Sequence, residues 1–292
     1  MTLTLHAPAK LNLTLDILGE IPGGYHELDS VMLSVDLCDT LTMTLVPREG
    51  AGLHFYCSNP ALPGGEDNFV LRACRVFFDY LDIEPHGVTI SLAKQIPYQA
   101  GLAGGSADAA ATLVGLNELY GAELTLGDLA KIGLEVGSDL PFCLMGGCAR
   151  AGGRGERLTP LPPLPQGAVF VISKPVGGMS TRHAFELYDQ GAARPQPQTQ
   201  AMVTALSAGD LAAVGKAMSN AFEGILPLPD SDKLKRIMLA QGALGAAMTG
   251  SGTAVAGLFA DEELAASCRE KLRGEADFAC IARPLTYGPK IV

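Results

Sequence analysis

The sequence predicts an α+β fold, and three observations carry that prediction. Apolar and polar residues alternate through much of the segment 10–45, and later stretches place apolar residues at helical spacing. The two patterns never settle into a regular strand–helix–strand repeat, which argues against a parallel α/β sheet.

The elements follow in order. Leu11, Leu13, Leu15 and Ile17 alternate with Lys10, Asn12, Thr14 and Asp16, so the first strand carries Lys10 and Asn12 on the face opposite the apolar side chains. Val31, Leu33, Val35 and Leu37 predict a second strand, and Leu41, Met43 and Leu45 repeat the pattern. The turn Pro22-Gly23-Gly24-Tyr25-His26 separates the first two. Phe69, Ala73, Val76, Phe77, Tyr80 and Leu81 fall at helical spacing behind Asn68, a residue suited to an N-cap. Residues 87–92 predict a strand, the alanine-rich stretch 107–120 a helix, and Thr125 the cap of a helix that ends at Gly137-Ser138-Asp139. The Gly-, Pro- and Arg-rich segment 152–166 marks a boundary between domains 1–155 and 156–292. Beyond it, strands are expected at 168–173, 253–259 and 278–283. Helices are expected at 181–188, 199–219, 231–241 and 262–273, and 191–198 reads as a Pro-containing loop.

Composition removes several function classes. The 292 residues are 48% hydrophobic, enough for one large core or two modest ones. A net charge of −10 without a Lys/Arg block argues against nucleic acid as a partner, though a local site in such a molecule can still be positive. The seven cysteines are an odd number and form no C-x-x-C pair, which argues against a disulfide framework or a zinc site and for a reducing, cytoplasmic setting. The opening stretch has no apolar signal-peptide core, and no run of apolar residues is long enough to predict a membrane span.

The chemistry-bearing segment is Gly101-Leu102-Ala103-Gly104-Gly105-Ser106, which directly precedes the alanine-rich helix. Glycines let backbone N–H groups approach an anion without a Cβ in the way, and the helix start adds free N–H groups and the positive end of a dipole. The dipole supplies only about 0.3–2 kcal/mol, so several convergent donors must do most of the binding. No Lys-Ser or Lys-Thr follows these glycines as a Walker A requires, and alanine at position 103 breaks a G-x-G-x-x-G fingerprint. Ser106 is followed by Ala107-Asp108 rather than by the glycine of a G-x-S-x-G elbow. The plain alternative is a tight turn with no ligand.

Ordered matches along the chain resemble the GHMP kinases (galacto-, homoserine, mevalonate and phosphomevalonate kinases). They are Ala7-Pro8-Ala9-Lys10-Leu11-Asn12-Leu13, Gly24-Tyr25-His26-Glu27-Leu28, the loop from Pro97 to Ala107, and Gly137-Ser138-Asp139-Leu140-Pro141-Phe142. Gly153-Arg154-Gly155-Glu156, Ser180-Thr181 and Thr249-Gly250-Ser251-Gly252 continue the series, so the resemblance covers nearly the whole chain. The branch that phosphorylates a cytidine diphosphate-linked methylerythritol in isoprenoid precursor synthesis is the nearest in pattern.

The resemblance implies a two-domain fold with the active site in the cleft between domains, ATP and Mg2+ as cofactors, and a monomer or weak homodimer. It implies that Asp139 orients or deprotonates the acceptor hydroxyl and that Lys10 polarises it. It places Lys94, Pro97, Gly101, Leu102, Ala103, Gly104, Gly105, Ser106 and Ala107 around ATP, with Ser106 also a candidate Mg2+ ligand. Asn12, Tyr25, His26, Thr181 and Phe185 become substrate contacts, Tyr25 and Phe185 sandwiching the cytosine. Read as isolated residues, Lys10 is a solvated charge, Asp139 a turn residue, and Tyr25 and Phe185 ordinary core.

Three departures stand out. Ala103 occupies a usual glycine position, where a methyl group calls for a negative φ, and Ala107 stands where serine is frequent. Asn220-Ala221-Phe222-Glu223 also lacks the acidic residue often seen just after that asparagine. A homoserine or mevalonate-type kinase, a catalytically impaired nucleotide-binding homologue and a serine hydrolase are the competing readings. The Tyr25-His26 turn with Asn12, the intact Lys10 and Asp139, and the missing elbow argue against them in that order.

Overall fold

The structure is a computed structural model that describes residues 1–45, 52–85, 87–191 and 195–292. The loop expected at 191–198 therefore lies partly outside the described residues.

The alternation in the first 45 residues continues further than its apolar core suggests. β1 (Thr2–Ile21) and β2 (Tyr25–Leu45) form one long antiparallel hairpin, so the runs at 31–37 and 41–45 are a single strand. The period breaks between them because the β1–β2 register shifts at Pro8/Ala9, with two further shifts at Asn12/Thr14 and Ile17/Gly19. β3 (Leu53–Cys57), α1 (Phe69–Leu81) and β4 (Val88–Ala93) follow, α1 capped by the Asn68 side chain as its sequence predicts. α2 (Gly104–Tyr120) starts within the glycine loop itself. α3 (Leu126–Leu134) carries a full capping box from Thr125 and Asp128.

α4 (Leu140–Met145), β5 (Cys148–Gly153) and β6 (Arg157–Pro160) are too short to show a period in sequence, and the helix and hairpin emerge only in the structure. β7 (Val169–Lys174) and α5 (Thr181–Gln190) match expectation. The helix expected over 199–219 breaks into α6 (Thr199–Ala208) and α7 (Leu211–Ala217): Gly209 takes a left-handed turn and Asp210 caps α7 through Ala213 N. β8 (Ser219–Asn220), α8 (Pro229–Ala240), β9 (Gly245–Met248), β10 (Val255–Phe259), α9 (Glu262–Leu272), β11 (Phe278–Ala282) and β12 (Lys290–Ile291) complete the chain.

The first sheet runs β12-β1-β2-β4-β3, with β5 on β2, β6 on β5, and β8 parallel to β1; the second runs β11-β7-β10-β9. The division expected at 155/156 falls in the turn of the β5–β6 hairpin, so the crossing to the second sheet lies in 161–168. β8 and β12 then return to the first sheet from late in the sequence.

α2 is buried nearly all round because alanines and a few leucines line it, which lets it sit between α1 and the β1–β2 hairpin. A second core gathers Phe222, Phe259, Val171 and Leu234 under α8 and α9. Asp16 on β1 accepts from the backbone N–H of Gln198 and Thr199 at 2.9 and 2.8 Å, so a residue of the first sheet receives the amides at the start of α6.

Candidate active site

The site is built where β1, the loop before α2 and the β9–β10 turn meet. Lys10 N donates to Leu102 O at 3.1 Å, Ala254 N to Ala100 O at 3.2 Å, and Thr249 Oγ1 to Gly101 O at 3.2 Å. Gly101 has φ +75, and a Cβ there would overlap the Thr249 carbonyl oxygen, so only glycine lets the two turns touch. Asn12 completes the junction: its N–H donates to Thr249 Oγ1, its Nδ2 to Ser30 Oγ, and its Oδ1 accepts from Gly250 N.

Lys10 and Asn12 share a face as the period predicts, but that face is interior: each is under 5% exposed. The Lys10 ammonium donates to Asn12 Oδ1 at 2.5 Å and lies 3.9 Å from Asp139 Oδ2. Asp139 precedes α4, and its carboxylate, 34% exposed, caps nothing and lines the cleft.

Two cavities adjoin here. The first, about 530 Å3, is lined by Lys10, Asn12, Tyr25, His26, Asp139, Thr181 and Phe185, so every expected acceptor-side residue reaches it. The second, about 320 Å3, is lined by Lys94, Pro97, Gly101, Leu102, Ala103, Gly104, Gly105 and Ser106. Gly101, Thr181 and Ser251 line both, and Thr181 Oγ1 lies 3.2 Å from Ser251 Oγ across the junction. Ala107 lies outside both: it is buried inside α2, where its N–H is taken by Ala103 O.

The loop amides are free to bind. Gly104, Gly105 and Ser106 open α2, and the N–H groups of 101–106 have no acceptor among the described residues. Ala103 corrects a sequence expectation: its φ is +54, in the left-handed region, with its methyl group retained. For a non-glycine residue that costs about 1–2 kcal/mol, which the packed turns on both sides must hold in place.

Lys94 reaches the second cavity but its ammonium is already held, by Asp39 Oδ2 and by Asp108 Oδ2 at 2.7 Å. Asp39 Oδ1 also accepts the backbone N–H of Gln95 and Ile96 at 2.5 and 2.9 Å, which ties the start of the loop to β2. Burial works against the charge of Lys94, yet the two carboxylates outweigh it and its pKa is raised. Burial also pushes Asp108 well above the usual carboxylate range; Lys94 pulls the other way and Asp39 adds to the rise. Among the described residues Asp108 Oδ1 is buried with no hydrogen-bond partner, as fits a carboxyl group that shares one ammonium with a second carboxylate. Neither aspartate stood out in sequence.

On the acceptor side, Phe185 stacks on His26, with ring centroids 4.7 Å apart and planes 20° apart, and meets Phe222 edge-on at 5.1 Å. His26 Nε2 lies 2.7 Å from Asp189 Oδ1. Glu20, His26 and Asp189 have ligand atoms within 4.8 Å of one another, because Glu20 faces His26 across the β1–β2 hairpin and Asp189 is bonded to the imidazole. Tyr25 is 51% exposed, with the Arg154 guanidinium 4.8 Å over its ring. Arg154, Asp189 and, around the second cavity, Leu62, Pro63, Phe69 and Tyr98 were not among the sequence candidates. Phe69 reads as plain helix core in sequence, and Pro63 lies in a loop without a pattern.

An amide-lined cavity beside a cleft with one ammonium and one carboxylate at their junction suits transfer of an anionic group to a hydroxyl. Ser106 and Asp139 offer oxygen donors that fit a hard divalent cation held chiefly by phosphate oxygens.

Residues 68–147 match the model of the GHMP kinases N terminal domain, and 202–277 that of the GHMP kinases C terminal. A 4-diphosphocytidyl-2-C-methyl-D-erythritol kinase of Exiguobacterium sibiricum is 42% identical over 98% of this chain and 99% of its own. One from Caldanaerobacter subterraneus is 38% identical, with all of both chains covered. Among solved structures, a 4-(cytidine 5'-diphospho)-2C-methyl-D-erythritol kinase superposes with a TM-score of 0.79 at 34% identity, covering 97% of this chain and 99% of that one.

Proposed function

The chain belongs to the GHMP kinases and, within them, to the 4-diphosphocytidyl-2-C-methyl-D-erythritol kinases, and we propose that it transfers the γ-phosphoryl group of ATP to the 2-hydroxyl of that cytidyl alcohol in isoprenoid precursor synthesis. It is an ATP-dependent phosphotransferase with an alcohol acceptor. One observation carries the residue roles: Lys10 and Asp139 stand 3.9 Å apart beside the junction of the two cavities.

The free amides of Gly104, Gly105 and Ser106, with the dipole of α2, receive phosphate oxygens. Leu62, Pro63 and Phe69 give the far end of that cavity an apolar wall suited to a planar base. Mg2+ would be held by the Ser106 hydroxyl together with the phosphates, and it supplies charge neutralisation. Asp139 orients the acceptor hydroxyl and takes its proton late, as the new bond to phosphorus forms. Lys10, fixed by Asn12, faces the charge that develops on the transferring group. His26 and Phe185 form the wall on which cytosine stacks, a contact of about 1–3 kcal/mol.

The same proposal takes the enzyme as a cytosolic monomer or weak homodimer. Seven free cysteines and a site completed within one chain support it, and among the described residues no helix is long and apolar enough to cross a membrane. It divides the two domains at the crossing in 161–168.

ADP release should require ATP, Mg2+ and the cytidyl alcohol together. Turnover with homoserine or mevalonate in place of that alcohol would reject the assignment.

A further inference from the structure

We propose that Arg154 grips the diphosphate of the cytidine-linked substrate, midway between the base wall and the reacting pair. The inference rests on the substrate assignment above and deepens it.

Position is the first argument. Arg154 sits in the β5–β6 turn between Gly153 and Gly155, with φ of +68 and +113. Its backbone N–H donates to Glu156 Oε2 at 2.6 Å, which fixes the turn. The guanidinium lies over Tyr25 at the base end of the cleft. One residue on, a Cβ at Gly155 would come within 3.8 Å of Asp139 Oδ1 at the acceptor end. A ligand that spans from His26 and Phe185 to Asp139 must pass this turn, and in a cytidine diphosphate-linked alcohol the part that passes it is the diphosphate.

Charge is the second. The cleft is lined by Lys10, Arg154 and Arg182 against Asp139, Glu186 and Asp189. Lys10 is engaged by Asn12 and Asp139, and Arg182 Nε donates to Glu186 Oε1 at 3.0 Å. The Arg154 guanidinium pairs with no carboxylate among the described residues. A diphosphate diester that enters beside three carboxylates needs a counter-charge, and Arg154 is the cation left over. The Tyr25 ring is not a hydrogen-bonding carboxylate, and a guanidinium 4.8 Å from its centroid still carries five N–H donors to offer phosphate oxygens. Its fork matches such oxygens two at a time.

The test compares cytidine with cytidine 5'-diphosphate by titration calorimetry on the whole chain, for wild type, Arg154→Gln and Arg154→Lys. Wild type should bind the diphosphate more tightly than the nucleoside. Arg154→Gln should weaken the diphosphate about 10- to 100-fold, the scale of a charged hydrogen bond, and cytidine only about two- to three-fold. Arg154→Lys should fall between, and its melting curve checks folding. In kinetics the loss should fall on KM for the cytidyl alcohol and spare KM for ATP. Equal weakening of cytidine and the diphosphate would make Arg154 only a support for Tyr25, and a rise in KM for ATP would put it on the other substrate; either overturns the proposal. Failure of the substrate assignment is separately visible, as wild type that binds cytidine diphosphate through Arg154 but does not phosphorylate the cytidyl alcohol.

Discussion

The Lys10–Asp139 pair depends on one amide. Asn12 Oδ1 accepts from both Lys10 Nζ and Gly250 N, so one side chain aims the ammonium and fixes the turn that borders it. Asp139 has the opposite character: its carboxylate is partly exposed and caps no helix, which leaves it for a ligand. Asp139→Asn should lower kcat about 10²- to 10⁴-fold, the usual range for loss of a positioned acid or base, while ATP still binds. A variant that keeps the wild-type rate would remove Asp139 from the mechanism. Ala103 shows the limit of a rule applied to one residue: its methyl group sits at positive φ between the Gly101 turn, packed on Thr249, and the start of α2.

At the level of elements, the glycine loop is a bridge between β4 and α2 that stands on a buried ionic base. Asp39 from β2 holds the loop's first amides, and Lys94 joins it to Asp108 on α2. Burial, and a second carboxylate on the same ammonium, make Asp108 easy to protonate. A carboxyl group whose folded pKa is raised stabilises the fold below its unfolded range, and that contribution is lost as pH rises through the folded value. Asp108→Asn should therefore flatten the fall in stability from the ordinary carboxylate range upward, and leave the loop in place because an amide mimics the neutral acid. Denaturant melts across pH 4 to 8 read this out, and equal pH slopes for the two proteins would refute it. Lys94, also raised, loses its contribution only above the ordinary lysine range.

Across the whole molecule, two sheets share one site because late segments return to early ones: β8 and β12 pair with β1, and Asp16 receives the amides at the start of α6. The cysteines follow this burial. It pushes the Cys74, Cys148 and Cys280 thiols up to about 12 and raises Cys143 further, with Asp139 adding to the last. Thiols held that high are scarcely ionised near neutrality, so iodoacetamide at pH 7.5 should label these four slowly in the native protein and fully in denaturant. Fast native labelling of Cys74 or Cys148 would contradict the packing.

Local chemistry alone determined much of this protein. The strand period put Lys10 and Asn12 on one face, the Asn68 and Thr125 caps started their helices, and the glycines put free amides at the start of α2, because each is set by residues within a turn or two. Tertiary structure decided what distant segments do to one another. Asp39 lay between the two alternating runs 31–37 and 41–45, and Arg154 in the segment that marked a domain boundary. Their roles come from partners 55 and 129 positions away, and no local pattern encodes such a pairing.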